Sequence, residues 1–318
     1  MLKIEQADSI MHSPSSKLIP YQPFDYVEDS MGWLYLVKAV FLLSGEIVAK
    51  AMYYPHEGCL KKCKNSLPEL NLILPQPVAR FGGFFDFILQ QSTISKWNPR
   101  TAQILPANTG QVNSLVNHIA TTLEQLGAKC YLFGSRALGL HTNQSDWDIL
   151  ILSTECPSKL LKFLLLTFGK TIRLFSTEEC QQRANRYASQ PNGIDYDVLF
   201  KIFQYSTPYL KSDHVEIGLF FSPPFCKPLP FEPNDLVNEQ LFSLYAYPID
   251  SIGTSYHLPR RICVQDVNGH FHTIYSVIWE LGGIEQVQDI LFEFSGLRKI
   301  DNYTWWMGGE EATLRIVS

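Results

Sequence analysis

Two short stretches of this chain have the residue types and spacing to do chemistry: the pair Gly134-Ser135 and, further along, Asp146-Trp147-Asp148. A glycine at the end of a strand permits a tight backbone and leaves no side chain between the chain and a ligand. Ser135 adds a hydroxyl and an N–H at the same place. Such a turn can receive phosphate oxygens. In an extended segment Asp146 and Asp148 fall on one face with Trp147 on the other, so two carboxylates point into the same space. Without a cation between them they would repel, and one would tend to keep its proton. A site that holds both ionised therefore calls for a hard cation, and magnesium beside a triphosphate is the natural choice.

The elements around these residues read as the frame that positions them. Lys129-Cys130-Tyr131-Leu132-Phe133 is a short apolar run rich in β-formers, suited to a buried strand that stops at Gly134. Asp146 to Leu152 reads as a second strand. Ahead of them, Val112, Leu115, Val116, Ile119, Leu123 and Leu126 repeat at helical spacing, with Asn108 or Thr109 to cap and Gly127 to stop. Behind them, helices are expected from Pro157 through Phe168 and from Thr177 to about Tyr187. The segment Asn192 to Phe200 follows a turn signal, and its alternation puts Asp195 and Asp197 on one face of a third, acidic strand.

Gly-Ser followed by Asp-x-Asp, with Arg136 and Gly139 in the loop and Ser145 before the carboxylates, resembles the nucleotidyltransferase superfamily of DNA polymerase beta. The resemblance runs from about Lys129 to Phe200. It implies transfer of a nucleoside monophosphate from a nucleoside triphosphate to an acceptor hydroxyl, with release of pyrophosphate and with Mg2+ or Mn2+ as cofactor. It implies Asp146, Asp148 and a third carboxylate as catalytic and metal-holding residues. Asp197 is chosen for the third because Val198-Leu199-Phe200 follows it directly, with Asp195 as the alternative. Gly134 and Ser135 would hold the phosphates. Arg136 would either pair with a phosphate oxygen or pack across the loop. The leading acceptor is an RNA or tRNA end. The alternatives are a protein, a small molecule or a nucleotide signal, or a regulatory module that binds nucleotide without turning it over.

A chain of 318 residues with 46% hydrophobic content is long enough for two or three modules with real cores. Its net charge of −5 gives no overall basic field of the kind that announces a nucleic-acid binder, though a local groove can be basic on an acidic protein. Seven cysteines without a secretory leader fit a reducing cytoplasm, and no apolar run approaches a membrane span. His56, Cys59 and Cys63 lack the fourth ligand that structural zinc wants. Lys61, Lys62 and Lys64 are the tightest basic cluster and read as a solvated face.

The expected fold class is α+β: a mixed-sheet nucleotidyltransferase core over 105–222, flanked by β-rich modules. Residues 1–23 read as a loose polar arm and 24–104 as an N-terminal β module containing a hairpin around Ser44-Gly45. Past the prolines at 223–230, residues 235–318 read as a small β-barrel or sandwich with strands near 241–247, 261–264, 271–275, 290–294 and 313–317. Sequence sets neither the preferred nucleotide nor the oligomeric state.

Overall fold

The computed structural model describes residues 21–63, 86–102, 105, 113–143, 145–189, 193–205, 209–213, 215–236, 240–249, 253–309 and 311–317. Most of the N-terminal arm, the cap candidates Asn108 and Thr109, Val112, Lys64 and Asn192 lie outside the described residues.

The N-terminal module is a six-stranded sheet of β1 (Tyr26–Asp29), β2 (Leu34–Val40), β3 (Ile47–His56), β4 (Cys59–Lys62), β5 (Asp86–Leu89) and β6 (Ile94–Asn98). Its strands run in the order β4-β3-β2-β1-β6, with β5 on β3. The β2–β3 hairpin around Ser44-Gly45 is present, with Gly45 at φ 68°. β2 is buried along its whole length because both faces are covered. Leu34 and Leu36 face the central domain, whereas Tyr35 and Val37 pack with Val27, Trp33 and Ala49. Lys38 on this strand is fully buried, bonds Asp86 Oδ2 at 2.8 Å and donates to the carbonyl of Val277 at 2.7 Å.

The central domain is a four-stranded sheet in the order β7-β8-β10-β9, formed by β7 (Lys129–Phe133), β8 (Trp147–Leu152), β9 (Tyr209–Lys211) and β10 (Glu216–Ser222). β8 is antiparallel to β7 and parallel to β10. Helix α1 (Ser114–Glu124) starts at Asn113, whose side chain accepts from the Leu115 N–H, and it buries Val116, Ile119 and Leu123. α2 is the single turn Gly134–Ala137, and α3 spans Pro157–Phe168 with proline in its first turn, where a missing N–H costs nothing. α1 and α3 cover one face of the sheet around Ile149, Ile151, Leu219 and Phe221. The other face packs Tyr131, Phe133, Leu150 and Leu152 against Tyr26, Leu34, Leu36 and Tyr53 of the N-terminal sheet.

Helix α4 (Thr177–Ala188) begins in a capping box, with Ser176 and Glu179 each accepting from the other's backbone N–H. Helix α5 (Tyr196–Tyr205) stands where the sequence suggests a third acidic strand. Alternation over Asp195–Phe200 is too short to decide, because the next turn supplies Ile202 and Phe203. Val198, Leu199, Ile202 and Phe203 then make a helical stripe, and all four are buried.

The C-terminal module comprises β11 (Phe242–Pro248), β12 (Arg260–Asp266), β13 (Phe271–Ser276), β14 (Phe292–Lys299), β15 (Thr304–Met307) and β16 (Thr313–Ile316). The order β11-β12-β13-β15-β14 closes on itself through β11–β14 pairing, and β16 lies on β14. β15 is the strand not read from the sequence, where Trp305-Trp306 is noticed only for its rings; Trp306 is buried. α4 and α5 pack into the same apolar cluster as Phe292, Phe294 and Leu314, so this part of the central region shares a core with the C-terminal strands. Among the described residues no helix is long and apolar enough to cross a membrane.

Candidate active site

Asp146 stands immediately before β8 and Asp148 is its second residue. The loop that delivers them is closed by Ser145, whose Oγ accepts from the Thr142 N–H at 2.9 Å while its own N–H donates to the Thr142 carbonyl at 3.0 Å. Arg136 braces the same loop. Its Nε and Nη2 donate to the carbonyls of Asp146 and Ser145 at 3.0 and 2.6 Å, and its guanidinium lies 4.0 Å from the centre of the Trp147 ring. The guanidinium packs across the loop in this structure, one of the two roles open to Arg136 in the sequence.

Asp148 sits between two glycines. Gly134, at φ 68°, begins the turn at the end of β7, and a Cβ there would collide with Asp148 Oδ2. On the other side Gly218 is the β10 partner of Asp148, and a Cβ there would lie 2.5 Å from Oδ1. No larger residue fits on either neighbouring strand beside this carboxylate. Burial, and next the charge of Asp146, push Asp148 up to about 7. Asp146 is raised as well, by burial and then by Glu216.

Asp195 and Asp197 are not brought to this pair. Asp197 is exposed in the first turn of α5, and Asp195, exposed just before it, approaches Arg315 of β16 at 3.9 Å. The segment belongs to a helix that packs on the C-terminal strands. The carboxylate that does join the pair is Glu216 at the start of β10. The β8–β10 ladder pairs Ile217 with Trp147 and Gly218 with Asp148, which sets Glu216 opposite Asp146 on the same face. Val215 to Phe221 carries the signal that could have found it: an acid directly before an apolar strand, the criterion applied to Asp197.

Glu216 Oε1 accepts from Arg183 of α4 at 2.8 Å. That arginine is held in place by Tyr209, whose ring lies 3.6 Å below its guanidinium, and by Phe175 at 5.0 Å. The site is thus three acids on the ends of two parallel strands, with Arg183 against the third.

The donor set suits a hard divalent cation, since all three groups are carboxylates. Among the described residues no group of three or more His, Cys, Asp or Glu side chains is placed to hold a metal ion. A magnesium site does not require one, because this ion is usually held by one or two carboxylates with substrate phosphates and water completing the shell. The Asp146/Asp148 pair beside the Gly134 turn meets that description. The His56, Cys59 and Cys63 group makes no such cluster, and the Cys59 thiol faces the His56 carbonyl.

Residues 116–217 match the family model described as Nucleotidyltransferase domain. The chain carries a nucleotidyltransferase domain. The match spans α1, the Gly134 turn, the acidic pair and Glu216, and belongs to the DNA polymerase beta-like superfamily. No curated protein and no solved structure matches the chain. The β-rich modules on either side of the nucleotidyltransferase domain fall outside the match.

Proposed function

We propose that the chain transfers a nucleoside monophosphate from a nucleoside triphosphate to an acceptor hydroxyl, using Asp146, Asp148 and Glu216. The observation that supports this most is the placement of the three carboxylates on one face of β8 and β10 beside the Gly134-Ser135 turn. Displacement at phosphorus needs an acceptor oxygen held in line and a way to neutralise charge on the attacking and leaving oxygens. Asp146 and Asp148 would hold Mg2+ or Mn2+, which supplies that neutralisation when bound. Gly134 lets the backbone approach the phosphates, and Ser135 offers a hydroxyl and an N–H to them. Glu216 stands where it can orient the acceptor hydroxyl and take up its proton, with Arg183 fixing the carboxylate's direction. Arg136 keeps Asp146 in register through the loop carbonyls.

An RNA end is the proposed acceptor. A groove of about 430 Å³ is lined by Asn113, Lys170, Arg173, Lys211, Ser212 and Asp213. Lys211 of its lining is the β9 partner of Glu216. Glu179 bonds both Arg173 and Lys211 and holds the two cations together along the groove. A polyanion lying there would deliver its terminal hydroxyl to Glu216.

The test is transfer of label from each α-labelled nucleoside triphosphate, with Mg2+ or Mn2+, to RNA, DNA, protein and small-molecule pools in turn. Label entering RNA supports the full reading. Label entering another pool keeps the chemistry and replaces the acceptor. Equal transfer by the Asp146→Ala/Asp148→Ala double variant would overturn the catalytic assignment.

A further inference from the structure

The N-terminal sheet does more than cover the nucleotidyltransferase domain. Its residues reach the catalytic turn: Tyr26 of β1 stacks on Phe133, the residue before Gly134, with ring centres 5.7 Å apart, and Tyr53 of β3 is buried in the same cluster as Phe133 and Leu150. Leu138 and Leu140, which follow the Gly-Ser turn, pack against this cluster too. Tyr53 is paired directly with Lys62 across the β3–β4 ladder. Directly paired residues in an antiparallel ladder share a face. Lys62 therefore projects from the face that meets the catalytic strands, while Lys61, the partner of Tyr54, lies on the other. The reading of the lysine cluster as a solvated face holds for exposure, since β4 is exposed throughout, but not for direction.

The charge balance at the site gives Lys62 a task. Three carboxylates and a triphosphate in one place need cations besides a divalent ion. Arg136 is spent on the loop carbonyls and Arg183 on Glu216. Lys62 shares its sheet face with Tyr53, which is buried in one cluster with Phe133 and Leu150 of the catalytic strands.

We propose that Lys62 grips the triphosphate of the nucleotide bound at the Gly134-Ser135 turn, which makes the N-terminal β module part of the active site. This rests on the nucleotidyltransferase reading of the site. A lysine suits the task as a compact charge on a long flexible stem that can follow phosphates through binding and release. The binding site is consequently built from two modules, and a chain carrying only the residues of the domain match would lack one of its phosphate contacts.

Equilibrium binding on the full chain tests it, with each of the four nucleoside triphosphates and the matching monophosphates titrated in the presence of Mg2+. Lys62→Ala should weaken triphosphate binding about tenfold and leave monophosphate binding unchanged, as expected for loss of a charge-assisted phosphate contact. Lys62→Arg should stay near the parent, and Lys61→Ala should equal it. Unchanged triphosphate affinity in Lys62→Ala, or equal loss for triphosphate and monophosphate, would overturn the assignment. A parent chain that binds no nucleotide at all would instead overturn the proposed function, and the lysine's role with it.

Discussion

The Cα of Gly134 lies so close to the Asp148 carboxylate that a methyl group in its place would overlap Oδ2. The Gly134 turn and the Asp148 carboxylate are thus in direct contact, and the size of one residue sets the position of the other. Gly134→Ala would meet two costs. Alanine at φ 68° is disfavoured by about 1–2 kcal/mol, and the carboxylate must move aside. Displacing a catalytic group by about 1 Å can cost about 100-fold in rate, so the variant should lose transfer by at least that factor while remaining folded. Transfer rate and circular dichroism on the same preparation check both halves.

Asp148 links stability to pH. Its folded-state value is pushed up to about 7 by burial and by Asp146, with Glu216 adding to the rise and Lys62 and Arg183 opposing it. In the unfolded chain an aspartate titrates near about 3.9. The folded value is the higher one, so the protonated carboxyl favours the fold. That stabilisation is complete below about pH 4 and is lost as pH rises through about 7. Without divalent ions at pH 8, Asp148→Asn should melt a few degrees above the parent, and the gap should shrink as pH falls. Mg2+ should raise the parent's Tm at pH 8 and leave that of the variant unmoved. A parent that melts above the variant at pH 8 without divalent ions would contradict this.

Arg136→Ala removes the brace on the Ser145 and Asp146 carbonyls and the stacking on Trp147. The expected result is a kcat lower by about 10- to 100-fold with KM for the nucleotide within about twofold, the pattern of a residue that positions a catalytic group. Arg136→Lys should not rescue, because an ammonium cannot reproduce the two-pronged contact. A raised KM with kcat kept would return Arg136 to the phosphates.

Lys38 ties two parts of the molecule, since it bonds Asp86 within the N-terminal sheet and the Val277 carbonyl of the C-terminal region from a fully buried position on β2. Lys38→Ala removes the ammonium that pairs with the buried Asp86 carboxylate and should cost about 3–5 kcal/mol in chemical denaturation. A change below about 1 kcal/mol would mean that the pair carries little of the fold.

The acidic pair and its turn were legible because everything that makes them is local: a strand that stops at Gly134, a short loop, and two aspartates whose shared face follows from strand geometry alone. Helices α1, α3 and α4 were legible from apolar spacing and from the capping Ser176/Glu179 pattern. Glu216 shows the same acid-before-strand signal as Asp197, and what separates the two is its place opposite Asp146 across a parallel ladder whose register only the folded sheet fixes. Asp197 attracted the third role because six alternating residues imitate a strand, and the helix shows only when the stripe is followed to Phe203. Lys62 looked like one of several surface lysines until the Tyr53 pairing gave it a direction.

The most direct measurement is label transfer from the preferred nucleoside triphosphate by four single variants beside the parent: Asp146→Asn, Asp148→Asn, Glu216→Gln and Asp197→Asn. The first three should each lose at least about 100-fold, as expected for groups that stabilise or align the transition state, and Asp197→Asn should match the parent. Loss of transfer in Asp197→Asn with full transfer in Glu216→Gln would contradict the assignment of the third acid, and full transfer in Asp146→Asn and Asp148→Asn would contradict the site as a whole.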